Sequence, residues 1–252
     1  MALLLFSYKC LFYEFIKCML NLDFLDIYQV RQRGEIQLSF PVKPVSSGAG
    51  STRQKPLIRE IQKITSNCNF VFGGDVKIDI EWRIHEQQRY EFTLAPDLDN
   101  IAKPILDALS GPQGLLIDDC QVQSISCYWI DHFHSEEQEI IVTIRMMFQD
   151  DGIRKDKLFF VHIGEKLYFP ISFSGIDLQS DLEVILKMLE NTKELMRIRD
   201  IYMKEFHVDY YSLKQIMPSQ RLFHYQRVSK KFKSQLIELD SLKDELLTPF
   251  KK

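Results

Sequence analysis

The sequence predicts an α/β chain: a mixed sheet with helices in the order β-α-β-β-α-β-β over residues 35 to 148, then a smaller, mostly helical C-terminal domain. Three observations carry this expectation. Val76, Ile78, Ile80, Trp82 and Ile84 alternate with Lys77, Asp79, Glu81 and Arg83, the period-two pattern of a half-buried strand. Two segments, Leu57, Ile58, Ile61, Ile64 and later Ile101, Ile105, Leu106, Leu109, repeat their apolar residues at helical spacing instead. Beyond "QDDGIRKDK" at 149 to 157 the composition shifts, which divides the chain into an N-terminal helical extension (1–34), a mixed α/β domain (35–148) and a C-terminal domain (149–252).

The opening twenty residues, "MALLLFSYKCLFYEFIKCML", are apolar but broken by Lys9, Glu14 and Lys17, so they offer no uncharged run of about 20 residues to span a bilayer. They also lack the basic start of a signal peptide. They read as an accessory helix, or as an upstream start with Met19 as the true one, rather than as a membrane-surface anchor. No membrane partner is expected.

Ile36, Leu38, Phe40 and Val42 form the first strand, ended by Pro44 and the loop "SSGAGS". The helix after it is expected to open at Pro56, because proline suits a first helical turn. Tyr90, Phe92 and Leu94 read as the hairpin partner of the strand at 76 to 84. A helix from Asn100 ends at "SGPQG", and strands at about 121 to 130 and 139 to 147 complete the unit. His132 and His134 flank Phe133 between those two strands and read as a loop rather than metal ligands. In the last domain, residues 159 to 173 read as a hairpin turning at Gly164. A helix follows, with Ser180 as N-cap, Glu183 completing a capping box, and Leu182, Ile185, Leu186 and Leu189 as its buried stripe; a final helix is expected from Arg221 to Leu247.

Composition sets the outer limits. At 252 residues and 45% hydrophobic, the chain can bury one full core and a second smaller one. Its five cysteines, Cys10, Cys18, Cys68, Cys120 and Cys127, are odd in number and form no C-x-x-C pair, which suits a reducing cytoplasm. With 32 basic and 35 acidic side chains the net charge is only -3, so a nucleic-acid partner must be argued from local charge.

Local charge is concentrated in "PDLDNIAKPILDALSGPQGLLIDDCQV", where five aspartates fall within 27 residues. Asp97 and Asp99 stand at the N-terminus of the helix, and Asp118 and Asp119 precede the next strand, so three or four carboxylates can converge at one edge. Two carboxylates about 4 Å apart repel by about 4 kcal/mol at an effective dielectric of 20. A divalent cation relieves that cost, and oxygen-only ligands favour magnesium, with manganese as a substitute. Such a centre activates water and stabilises the charge that builds on a phosphodiester. Lys103, one turn after Asp99, can present its ammonium to a phosphate oxygen. The plainer alternative is that Asp97 or Asp99 caps the helix and that Asp118 and Asp119 form a solvated turn.

"PDLDNIAKPILDALSG" followed by "IDDCQV" resembles the signature of the RusA-type Holliday junction resolvases, a P-D-x-D-N-x-x-K segment followed by D-D-x-Q-V. Pro96, Asp97, Asp99, Asn100, Lys103, Asp107, Asp118, Asp119, Gln121 and Val122 match it, and the strand ending "FPVKP" is similar to the family's opening strand. The likeness covers about residues 35 to 148. It implies a homodimer of small α/β subunits that uses magnesium to cut two strands of a four-way DNA junction. Carried over, Asp97, Asp99 and Asp119 would be metal ligands and catalytic together with Lys103, and Asp118 would join the metal site by supporting those ligands or by binding an alternate metal. Lys103 would meet the scissile phosphate, Asn100 would orient a ligand, and Asp107 would pair within the helix.

Residues 36 to 148 hold ten basic against fifteen acidic side chains, so phosphate binding needs help from outside the acidic edge. Lys43, Arg53 and Lys55, with Arg59 and Lys63, form one candidate DNA-binding group. Residues 210 to 237 contain no acidic residue but hold Lys214, Arg221, Arg227, Lys230, Lys231 and Lys233 among Phe223, Tyr225 and Phe232. Arg227, Lys230 and Lys231 are the second candidate DNA contact, weighed against a solvated helix face over core aromatics. Two other function classes stand beside a junction nuclease: a branched-DNA-binding protein of the same fold that does not cut, and a D-x-D metal-nucleotide transferase, which needs a larger nucleotide-binding domain.

Overall fold

In the computed structural model, which describes residues 30, 32–91, 97–133, 138–148, 151–174 and 181–247, Ile36, Leu38 and Phe40 are buried along the first strand, β1 (Glu35–Phe40). Most of the expected N-terminal extension, and His134, lie outside the described residues. The loop after β1 winds into a 3-10 turn, Ser47–Ala49. Helix α1 (Ser51–Thr65) begins five residues before Pro56, correcting the expected start. Both Thr52 and Pro56 are exposed, so the Thr52 carbonyl that proline leaves without an N–H partner faces water, and the helix tolerates it.

Four further strands and two helices complete the first half, and three of the strands join β1 in one sheet. β2 (Phe70–Phe72), β3 (Val76–Ile84), α2 (Glu86–Glu91), α3 (Leu98–Leu109), β4 (Val122–Asp131) and β5 (Glu139–Met146) follow in order. The sheet runs β1-β5-β3-β4, antiparallel except for the parallel pair β3 and β4. A parallel pair needs a crossover, and α3 lies within it. Tyr90 belongs to α2, not to a hairpin with β3, because both edges of β3 are taken by β4 and β5; Phe92 and Leu94 lie outside the described residues. One sheet face packs on α1 and α3 through Leu57, Ile61, Ile105 and Leu109. The other is polar: Arg145 joins Glu35 at 2.7 Å and also pairs with Asp79, while Arg83 reaches Glu139 at 3.1 Å. This explains why Lys77, Asp79, Glu81 and Arg83 alternate with apolar residues.

The remaining strands form a two-stranded sheet with β2 and a separate four-stranded sheet. β6 (Gly152–Arg154) pairs antiparallel with β2, and β7 (Leu158–Gly164) with β8 (Leu167–Ser172) makes the expected hairpin. Helix α4 (Leu182–Glu205) has Asp181 at its N-cap position with no side-chain capping bond; Ser180 lies outside the described residues. Leu182, Leu189 and Met196 bury its stripe against β7 and β8. Residues 221 to 247 are not one helix. They divide into β9 (Phe223–His224), α5 (Tyr225–Val228), β10 (Leu236–Glu238) and α6 (Leu239–Leu247). The C-terminal half is therefore built on a four-stranded sheet, β10-β7-β8-β9, rather than being mostly helical. The free edges of β7 and β8 recruit Leu236–Glu238 and Phe223–His224, and ladder hydrogen bonds override the helical spacing.

One buried cluster joins the two halves of the chain. Val71 and Ile117 from the first half pack with Leu158, Phe160, Tyr168, Phe223, Val228 and Phe232 from the second. Among the described residues no helix is long and apolar enough to cross a membrane.

Candidate functional site

The parallel pairing of β3 and β4 decides where the acidic residues meet. Val122 lies opposite Val76, so the 118–121 segment sits at the beginning of both strands, where α3 runs past on its return along the sheet. Residues Asp119–Gln121 form a 3-10 turn with Asp118 as its cap. Asp118 Oδ1 accepts from the Cys120 amide at 3.1 Å, and the buried Gln121 closes the reciprocal half of the capping box.

Gln121 does more than cap. Its Oε1 accepts from the amides of Ile117 and Asp118 at 2.8 and 3.0 Å, and its Nε2 donates to the carbonyls of Phe72 and Gly74 at 2.7 and 2.8 Å. One amide thus clasps the Asp118 backbone to the end of β2. The family-like motif marks Gln121, but its spacing alone assigns no such role.

Lys103 projects from α3 between two carboxylates, with Nζ 2.7 Å from Asp107 Oδ1 and 2.7 Å from Asp119 Oδ2. The Asp107 and Asp119 bonds raise the Lys103 pKa above its ordinary value, so it is cationic at neutral pH. The Lys103 hydrogen bond holds the Asp119 carboxyl below the usual carboxylate range, against the opposing effect of burial. The two aspartates differ in their freedom: Asp118 is buried and committed to its turn, whereas Asp119 faces Lys103. Cys120 between them is no nucleophile, because burial and then Asp118 push its thiol up to about 12.

Asp97 and Asp99 stand exposed at the N-terminus of α3, Asp99 one turn before Lys103 on the same helical face. Asp97 occupies the N-cap position, yet its side chain makes no capping hydrogen bond, so the plain capping role is not the one it plays. Asn100 Oδ1 accepts from Ser47 Oγ at 3.1 Å, which ties the 3-10 turn after β1 to the start of this helix. Lys43, Arg53 and Lys55 lie on and before the first turns of α1, and make no hydrogen bond or ion pair with the carboxylates among the described residues.

Cations from the C-terminal half reach the same place. Arg227 Nη1 lies 3.4 Å from Asp118 Oδ1 and 3.9 Å from Asp119 Oδ1. Lys231 adds to the positive potential at Asp119, and its methylenes lie against Gly111, where an added Cβ would come within 3.2 Å of Lys231 Cδ. Arg221 pairs with Asp75 and donates to the Cys120 carbonyl at 2.9 Å. Lys230, on the same segment, is exposed. Asp75 and the anchoring role of Arg221 had no signal in the sequence, since they depend on a long-range contact that only the shared core creates.

An all-oxygen donor set from Asp97, Asp99 and Asp119 fits a hard divalent cation by chemistry. Among the described residues, however, no three His, Cys, Asp or Glu side chains are gathered closely enough to hold one. Asp119 is instead neutralised by Lys103 and Arg227, so side-chain cations carry the charge balance in this arrangement.

Residues 55–145 match the family model described as endodeoxyribonuclease RusA. No curated protein matches the chain. Among solved structures, one similar chain is the crystal structure of hydrogenase maturation protein HypE, 10% identical, with 53% of this chain and 36% of that one covered and a TM-score of 0.22. The chain therefore spans about a third of that protein, and so slight a likeness carries no argument. The stretch matched to the endodeoxyribonuclease RusA family model, residues 55–145, holds all four site aspartates and Lys103.

Proposed function

We propose that this chain is a magnesium-dependent, structure-selective endodeoxyribonuclease that resolves four-way DNA junctions in recombination and repair, working as a homodimer in the cytoplasm. The observation that carries the reading is Lys103 bonded to Asp119 one turn along α3 from Asp99, within the segment that matches an endodeoxyribonuclease family. Asp97, Asp99 and Asp119 would hold the metal, with Asp118 shaping the turn that presents Asp119. A bound divalent cation supplies an activated water and neutralises phosphodiester oxygens. Lys103, cationic through its two carboxylate bonds, turns toward a phosphate oxygen as the substrate arrives and stabilises the negative charge that develops there. Asn100 is steadied by Ser47 and orients a ligand beside Asp99.

Lys43, Arg53 and Lys55 would track the DNA backbone beside the site, and Lys230 would do so from the C-terminal half. The homodimer is supported by β4, a ten-residue edge strand that leaves Ile125, Tyr128 and Ile130 more than a third exposed and pairs on one side only. Cys68, Cys120 and Cys127 are free thiols, as suits a reducing compartment.

The test is cleavage of a labelled synthetic four-way junction in magnesium by the wild type, Asp97→Asn and Asp119→Asn. Cleavage by the wild type and loss of about a hundredfold or more in both variants is expected. No cleavage by the wild type, or equal cleavage by all three, overturns it. A second reading, a branched-DNA-binding protein that does not cut, draws on the pairing of Asp119 with Lys103 and Arg227 in place of a gathered acidic triad. Junction binding without cleavage selects that reading.

A further inference from the structure

We propose that Arg227 is a phosphate-engaging residue of the candidate site, parked on Asp118 and Asp119 until a DNA phosphodiester takes its guanidinium. This rests on the nucleic-acid reading above and extends it to a residue outside the 55–145 family match.

Four observations lead to it. First, the segment carrying Arg227 is firmly placed. Val228 and Phe232 are buried in the cluster that joins the two halves of the chain, the His224 ring accepts from the Gln226 amide at the start of α5, and Arg221 is fastened to Asp75 and the Cys120 carbonyl. Second, the Arg227 side chain is loosely held on that firm base. Its contacts of 3.4 and 3.9 Å are longer than a well-formed charged hydrogen bond, its side chain is 53% exposed, and Asp119 already has Lys103 at 2.7 Å. Releasing it therefore leaves neither a buried guanidinium nor an unpaired Asp119.

Third, a guanidinium presents a planar fork of donors that matches two oxygens of one phosphate, which neither Lys103 nor Lys231 can do. Fourth, the rest of the acidic edge needs such a group. Residues 36 to 148 carry ten basic against fifteen acidic side chains, whereas residues 210 to 237 carry no acidic side chain at all. Arg227 is the member of that basic run which touches both site aspartates.

Arg221 offers a contrast. Its guanidinium is bound to Asp75 and a backbone carbonyl and has no comparable freedom, so it positions the segment and does not contact substrate.

The experiment uses the full chain as wild type, Arg227→Ala and Arg227→Lys. Thermal midpoints confirm folding, single-turnover and steady-state cleavage of a labelled four-way junction in magnesium give kcat and KM, and the salt dependence of junction binding is measured with calcium in place of magnesium. Arg227→Ala is expected to keep the wild-type midpoint, to lose about 10- to 100-fold in kcat, and to lower the salt slope by about one. Arg227→Lys should recover the salt slope but only part of kcat, because a point charge replaces the fork. If the wild type cuts and Arg227→Ala matches it in kcat, KM and salt slope, the inference is overturned while the nuclease stands. A fall in kcat with an unchanged slope also overturns it, since that pattern means Arg227 only steadies the two carboxylates. If the wild type binds the junction without cutting and the slope still falls in Arg227→Ala, the phosphate contact stands and the catalytic reading fails.

Discussion

The Lys103 ammonium lies 2.7 Å from Asp119 Oδ2, joining the middle of a helix to the turn before a strand sixteen positions later. Both side chains are partly exposed, so the pair contributes only about 0–1 kcal/mol to stability. Lys103→Met is therefore expected to melt within a few degrees of the wild type while losing about a hundredfold in single-turnover junction cleavage. Lys103→Arg should restore only part of that rate, because the larger planar head cannot take the same position between Asp107 and Asp119.

Gln121→Leu should be among the most damaging single substitutions in the chain. It leaves the Ile117 and Asp118 amides and the Phe72 and Gly74 carbonyls without their buried partner, at a cost of about 2–4 kcal/mol. Gln121→Glu keeps the acceptor but not the donors, and the expected denaturant midpoint falls between those of the wild type and Gln121→Leu.

Gly114→Ala tests a close backbone approach. An added Cβ would overlap the Leu109 carbonyl and the Ser110 nitrogen, neither of which is a flexible side-chain end. The loop that delivers the 115–117 segment beside β2 must then open, and a loss of about 2–4 kcal/mol is expected in chemical denaturation.

Lys155 gives stability an unusual alkaline profile. Burial pushes its pKa down to about 8 while its ammonium donates to the Thr65 carbonyl at 2.8 Å. Between about pH 8 and 10 the unfolded chain holds a proton that the folded chain has lost, so stability rises with pH. The expected gain is on the order of 1–3 kcal/mol, and Lys155→Met should flatten the curve. Cys68 opposes this at the upper end, because burial raises its thiol pKa and the folded chain keeps a proton the unfolded chain releases. Cys68→Ala should steepen the rise above about pH 9.

Deleting residues 150–252 should abolish cooperative folding rather than merely weaken DNA binding. Val71 and Ile117 lose the cover of Phe160, Phe223 and Phe232, and β2 loses its partner β6. Loss of dispersed amide resonances and of a cooperative melt is the expected outcome; a truncated chain that melts sharply refutes it.

Legibility in the sequence followed the range of the interactions. The alternation at 76 to 84 and the stripe at 101 to 109 are local patterns, and both became the expected elements. Motif spacing placed Lys103 and Asp119 in one reading, and the fold joins them. Tyr90 was misread because β4 and β5 take both edges of β3, and the Arg221 to Leu247 segment because the free edges of β7 and β8 recruit parts of it; the state of an edge has no signature in the segment it accepts or excludes. Pro56 misled for a narrower reason: proline favours a first turn but tolerates a later one when the orphaned carbonyl is solvated.

The shared cluster of Val71, Ile117, Phe223, Val228 and Phe232 also imposes an order of events on a chain emerging from the ribosome. Every aspartate of the acidic edge is synthesised more than a hundred residues before Arg227. Until residues 223 to 232 cover Val71 and Ile117 the earlier half lacks its full core, so the Lys103–Asp119 pair and the Arg227 guanidinium come into place together. Translation itself withholds the finished arrangement until the two halves of the chain have locked together.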